Sequence, residues 1–174
     1  TYYAADDPDL GKRGNIATLT NALGHVTQIT AYDGNGRPLT VIDPNGTVTT
    51  LTYDLRGRLT SRTIGSEQTR YDYDGVGQLT KVTLPDGSAT TYTYDGAHRL
   101  TTLKDTLGNS ITYTLDAMAN RTKEEVKDPV GTLARTRQHV YDALSRLAKD
   151  IGAQNQETTY EYDANGNRTK VTDP

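Results

Sequence analysis

The strongest constraint on this chain is internal repetition: the pattern Tyr-Asp-x-x-Gly-Arg-Leu-Thr returns at a nearly fixed interval from residue 32 onward. Clear copies are Tyr32-Asp33 through Thr40, Tyr53-Asp54-Leu-Arg-Gly57-Arg58-Leu59-Thr60, Tyr73-Asp74-Gly-Val-Gly77-Gln78-Leu79-Thr80 and Tyr94-Asp95-Gly-Ala-His98-Arg99-Leu100-Thr101. Degenerate copies begin at Leu115-Asp116, at Tyr141-Asp142 with Arg146, and at Tyr162-Asp163 with Gly166. The starts at 32, 53, 73, 94, 115, 141 and 162 are separated by 21, 20, 21, 21, 26 and 21 residues, so one unit carries about five extra residues, near 126–136. A half-copy at Gly14-Asn15 brings the total to about eight units. A period in this range marks an array in which one small supersecondary unit stacks on the next. Residues 1–174 are therefore expected to form a single array.

Within each period a second cluster of turn residues falls between the Tyr-Asp motifs: Asn21-Ala-Leu-Gly24, Asp43-Pro-Asn-Gly46, Leu84-Pro-Asp-Gly87, Asp105-Thr-Leu-Gly108 and Asp128-Pro-Val-Gly131. Proline presets φ, Asp or Asn bonds back to the backbone, and glycine takes the left-handed corner, so each cluster reverses the chain. Two reversals per period leave segments of strand length. Thr49-Thr-Leu51-Thr-Tyr53 and Thr91-Tyr92-Thr93-Tyr94 alternate as strands do, and no segment sustains a helical apolar period. A lone hairpin is marginal in water, so successive hairpins must pair edge to edge. The expectation is an all-β fold of tandem β-hairpins forming one long antiparallel sheet, curved by accumulated strand twist.

Only 33% of residues are hydrophobic, and all aromatics are the twelve tyrosines, with no Phe or Trp. Disordered chains are poor in aromatic and β-branched residues, whereas this one is crowded with Thr, Tyr and Val, which favour strands. A net charge of -3 with interspersed signs offers no basic field for nucleic acid or an anionic membrane. The absence of Cys removes disulfides and thiolate chemistry. No apolar run approaches a membrane span, and no signal peptide lies inside the segment.

His25, His98 and His139 read as exposed loop histidines, with His98 standing where the motif has glycine. Gly34-Asn-Gly36 and Gly75-Val-Gly77 lack the following helix of a phosphate loop. Asp163-x-Asn165-x-Asn167 imitates the opening of a calcium loop but has Arg168 where glycine is required. Asn45, Asn120 and Asn167 head glycosylation-type triplets that a Thr-rich chain supplies readily. The Tyr rows are read as structural cross-strand ladders, with a carbohydrate groove as the alternative. No catalytic residue, cofactor site or metal site is assigned. The carboxylates recur once per unit, as a structural residue does. The motif residues taken as structural are Tyr32, Asp33, Tyr53, Asp54, Gly57, Arg58, Tyr73, Asp74, Gly77, Tyr94, Asp95, Arg99, Tyr141, Asp142, Arg146, Tyr162, Asp163 and Gly166. Each Asp is expected to build an Asx-type turn or to pair with the Arg four residues on, as Asp54 with Arg58.

The consensus and its period resemble the tyrosine-aspartate repeats of the rearrangement-hotspot (Rhs) family, which includes C components of insecticidal toxin complexes, bacterial wall-associated proteins and teneurins. The resemblance covers essentially the whole chain. It implies a sheet spiralling into a hollow shell that encloses a C-terminal toxin or effector, in a secreted or cell-surface bacterial protein such as a polymorphic toxin delivered by type VI secretion. The partners implied are the enclosed polypeptide and the rest of the shell, with self-association through open strand edges. The alternative is an extracellular adhesion or carbohydrate-binding module with a glycan partner. Family members that release a toxin carry paired Asp-Pro-x-Gly elements in a self-cleaving core. Asp43-Pro44-Asn45-Gly46 and Asp128-Pro129-Val130-Gly131 look similar but lie 85 residues apart at ordinary turn positions. The half-unit ending at Val171-Thr-Asp173-Pro174 is expected of an excerpt truncated at both ends.

Overall fold

Two turn signals per period become two chain reversals per period, because each turn cluster closes a hydrogen-bonded reversal between its flanking strands. A computed structural model describes all residues, Thr1–Pro174. It contains strands and turns and no helix, so no helix is long and apolar enough to cross a membrane. The strands are β1 (Thr18–Thr20), β2 (Val26–Tyr32), β3 (Pro38–Ile42), β4 (Val48–Tyr53), β5 (Leu59–Ile64), β6 (Glu67–Tyr73), β7 (Leu79–Thr83), β8 (Ala89–Tyr94), β9 (Leu100–Asp105), β10 (Ser110–Leu115), β11 (Arg121–Lys127), β12 (Leu133–Tyr141), β13 (Leu147–Ile151), β14 (Glu157–Tyr162) and β15 (Arg168–Thr172). They form one open all-β sheet in strict chain order. Each strand neighbours only its predecessor and its successor, the topology that purely local turns produce.

Register explains the threonine that closes the motif. At the β4–β5 hairpin Thr52 pairs with Ser61 and Tyr53 with Leu59, leaving Thr60 as the extra residue of a β-bulge. The same slip leaves out Thr101 at β8–β9, Thr122 at β10–β11 and Thr169 at β14–β15. The hydroxyls are used locally: Thr60 Oγ1 meets Thr52 Oγ1 at 2.9 Å, and Thr101 Oγ1 donates to the Thr93 carbonyl at 3.1 Å. At β2–β3 the slip falls so that Pro38 opposes Tyr32, which puts Pro38 where other units have leucine. The extra residues near 126–136 do not form a loop. An ordinary turn spans 128–132, and the added length appears as a seven-residue β11 and a nine-residue β12.

The chain divides into two compact units: 1–73 with 82–87, and 74–81 with 88–174. In the first, the segment before β1 folds over the β2–β3 hairpin. Tyr3 donates its hydroxyl to the Ile29 carbonyl at 2.7 Å and meets the Tyr32 ring edge-on at 6.4 Å. Gly11 lies so close to the Tyr32–Asp33 backbone that a Cβ would come within 2.7 Å of the Asp33 carbonyl. Ile29 and Tyr32 are buried there. In the second unit the strands remain half-exposed. This is what a single layer of Thr and Tyr produces when no second layer covers it.

Candidate functional site

The motif residues build a corner at every Tyr-Asp turn. At Asp54 the backbone N–H donates to the Arg58 carbonyl at 3.0 Å, and the Gly57 N–H donates back to the Asp54 carbonyl at 2.9 Å. The carboxylate Oδ1 accepts the N–H of Arg56 at 2.9 Å and of Arg58 at 3.0 Å, while Oδ2 accepts Arg58 Nε at 2.7 Å. Asp33 with Arg37, Asp95 with Arg99 and Asp142 with Arg146 repeat this arrangement. At Asp163 the amide of Asn167 replaces the guanidinium, and at Asp74 three backbone N–H groups, of Val76, Gly77 and Gln78, converge on Oδ1. The corner residue is left-handed, at φ 83° for Gly57 and 87° for Gly166, which requires glycine or tolerates a strained side chain.

These bonds favour the ionised carboxylate. The Asp33, Asp54 and Asp142 carboxyls are held below the usual range by the backbone N–H of the Arg four residues on, reinforced by its guanidinium; for Asp95 the guanidinium leads. Desolvation pushes the hydroxyls of Tyr32, Tyr53, Tyr94 and Tyr141 upward.

The corner also reaches across to its neighbours. Tyr73 donates its hydroxyl to the Leu59 carbonyl at 2.9 Å, Tyr94 to Leu79 at 2.9 Å and Tyr162 to Leu147 at 2.9 Å, in each case the motif leucine of the preceding unit. Tyr141, beyond the lengthened hairpin, reaches Arg121 at 3.3 Å. In the opposite direction Arg37 lies over the Tyr53 ring at 4.9 Å, Arg58 over Tyr73 at 4.6 Å and Arg146 over Tyr162 at 4.7 Å. Arg99 Nη1 donates to the Asp116 carbonyl at 2.8 Å. The motif tyrosines therefore do not stack on one another as a ladder. What lies on the Tyr53, Tyr73 and Tyr162 rings is the guanidinium of the preceding corner.

The opposite ends of the hairpins use the same kind of turn with no arginine four residues on. Asp43 Oδ1 accepts the N–H groups of Asn45 and Thr47, and Asp128 Oδ1 those of Val130 and Thr132. Both Asp-Pro-x-Gly sequences thus sit at turns. Asn21, Asp105 and Gly152 head equivalent reversals. Of the histidines, His25 closes the Asn21 turn, His98 occupies a left-handed corner beside Gln78, and His139 lies on β12 with Nδ1 donating to the Arg121 carbonyl at 3.0 Å. Its Nε2 is 3.6 Å from Asp150, which Arg137 also holds. Asp163 accepts backbone N–H groups of Asn165 and Asn167 on Oδ1 and the Asn167 amide on Oδ2, so its oxygens face the turn itself. A shallow depression in the second unit gathers Leu103, Ile111 and Val126 beside Lys104 and Asp105. Its hydroxyls are those of Thr90 and Ser110, and the Asp105 carboxylate is taken up by the backbone N–H and side-chain amide of Asn109.

The RHS repeat model matches residues 32–70, 73–110 and 141–174. No curated protein sequence matches the chain. Among solved structures, TcdB2-TccC3 aligns with a TM-score of 0.73 at 21% identity, over 86% of this chain and 9% of that one. The Photorhabdus luminescens Tc holotoxin pore, with a substituted TccC3, aligns at a TM-score of 0.71 and 21% identity, over 84% of this chain and 9% of that one. The chain is thus similar in fold to a small part of each, and spans far less than two thirds of their length.

Proposed function

The chain belongs to the RHS repeat family, and from that premise we propose that it is a non-catalytic wall segment of an Rhs-type shell enclosing a toxin or effector of its parent polypeptide, which is secreted or displayed at a bacterial surface. The observation that carries this reading is the clasp between corners. The motif's carboxylate, guanidinium and phenol are directed at the backbone and ring of their own or the adjacent hairpin. A residue set so engaged joins hairpins and leaves little with which to turn over a substrate. The eighteen motif residues are accordingly assigned a structural role, and the partners are the remaining shell and its contents. In isolation the outer edge of β15 is unpaired, a setting for self-association between copies, whereas the β1 edge is partly covered by Thr1, which bonds both backbone groups of Thr18.

The test is limited proteolysis of the full-length parent protein. Confinement predicts that sequence enclosed by the repeats resists a protease which cleaves it readily after the wall is opened by combined substitution of Asp54 and Tyr73 to Ala. Equal cleavage before and after opening would sink the proposal. Turnover of a defined substrate by this chain, abolished by one substitution, would sink its non-catalytic part.

A further inference from the structure

Two motif positions vary together between neighbouring corners. After Arg37, Arg58, Arg99 and Arg146, the glycine position of the next corner holds Gly57, Gly77, Ala119 and Gly166. After Gln78 and Asn120 it holds His98 and Ser145. These are all the consecutive pairs from Tyr32 to the last corner.

Geometry supplies a reason for both classes. Where arginine is present, the guanidinium crosses into the next hairpin; at Gly57 it takes the space a side chain would need, while after Arg99 and Arg146 it lies beside a corner that holds, or has ordinary contact room for, a methyl group. A Cβ on Gly57 would overlap Arg37 Nη1, and a Cβ on Gly166 would face Arg146 Nη1 at 4.0 Å. The crossing arginines also hold backbone there, Arg99 on the Asp116 carbonyl and Arg146 on the Asp163 carbonyl. Where the shorter amide stands, the next corner's side chain reaches back to it. Gln78 Nε2 donates to the His98 carbonyl at 3.2 Å and His98 Nδ1 donates to Gln78 Oε1 at 3.0 Å. Asn120 Nδ2 donates to Ser145 Oγ at 3.1 Å.

His98 and Ser145 both hold φ near 60°, at 64° and 58°, where a side chain is disfavoured, so a compensating contact is what retains them. The half-copy lies outside the rule for a visible reason. It has Gly11 where other corners have aspartate, and Asn15 turns its amide onto the Gly11 carbonyl at 2.7 Å while lying against Gly36.

We infer that this residue pair is a neighbour-matching code: arginine accepts a following hairpin with a minimal corner, and a side-chain amide accepts one with an imidazole or hydroxyl corner. The code makes each corner a docking surface for one kind of successor, and so strengthens the fit between neighbouring corners that the turns have already placed side by side.

A pair of double-mutant cycles in this chain tests it, read by the apparent Tm and by amide exchange in the following turn. In the first cycle, Gln78→Arg alone lowers Tm by several degrees (on the order of 2–4 °C per lost interaction of ordinary strength for a chain of this size). Adding His98→Gly returns Tm to the level of His98→Gly alone or above it. In the second, Asn120→Arg is rescued in the same way by Ser145→Gly. If a single variant fails to fold and its double variant folds, the code is supported. If the two substitutions are additive in both cycles, or neither double variant recovers, the code is wrong.

Discussion

Arg58 lies 4.6 Å from the centroid of the Tyr73 ring, and the Tyr73 hydroxyl returns to the Leu59 carbonyl, next in sequence to Arg58, at 2.9 Å. One unit thus grips the next by a cation on a ring face and is gripped back by a hydrogen bond. Neither contact lies within one Tyr-Asp turn: both sit at the open end of the β5–β6 hairpin that links one motif to the next. The motif spacing is therefore a property of successive motifs as much as of one turn.

Removing one half of the grip separates the two contributions. Tyr73→Phe leaves the ring under the guanidinium but strips the Leu59 carbonyl of its donor, and is expected to cost about 1 kcal/mol in urea unfolding. Tyr73→Ala removes both contacts and is expected to cost clearly more. Equal losses from the two variants would mean that the ring contact contributes nothing.

Arg58→Lys tests whether charge alone suffices. Lysine keeps the cation, but its ammonium cannot offer Nε to Asp54 at 2.7 Å and a planar face to Tyr73 at once. The expected loss is about 1 kcal/mol, near that of Arg58→Ala, from the combined size of a partly exposed ion pair and a cation–π contact. Retention of full stability by the lysine variant would show that geometry is irrelevant here.

Acid should loosen the corners together. The carboxyls of Asp33, Asp54, Asp95 and Asp142 are held below their ordinary value by N–H donors and guanidinium groups. A depressed folded-state pKa gives stability that is fully present above the unfolded value, about 3.9, and is lost as pH falls through the lower folded value. Thermal midpoints are therefore expected to be flat from neutral pH to about pH 5 and to drop below about pH 4. Asp54→Asn should lower stability at neutral pH and reduce the acid-induced drop. A steeper drop in that variant would reverse the assignment.

The left-handed corner predicts substitutions of opposite sign. Gly46 has φ 82° and open space around its missing side chain, so Gly46→Ala measures backbone strain alone and is expected to cost about 1 kcal/mol. Ala119 already carries that strain at φ 67°, so Ala119→Gly is expected to stabilise by about 0.5–1 kcal/mol. Calorimetry of the two variants checks the pair.

The turn half of the corner was legible in the chain because it is local. Asp54 and Arg58 are four residues apart, and an Asx turn followed by glycine follows from their chemistry without reference to another strand. The partner half was written in the same residues but at a spacing of one period, and periodicity alone does not say which atoms meet. The tyrosines read as a ladder because alternation puts them on one face; that the preceding arginine covers a ring emerges only when adjacent hairpins are side by side. The bulge at Thr60 was equally hidden, since a register slip depends on how the turn feeds two strands.

The sequence by itself determined the all-β class, the two reversals per unit and the chain-order pairing of strands, because turn chemistry and period-two alternation act over a few residues. Only the tertiary structure decided the clasp between corners, the bulge register and the division of the insertion between β11 and β12. Those depend on distances between segments some fifteen to twenty residues apart, and such distances exist only once the strands have paired.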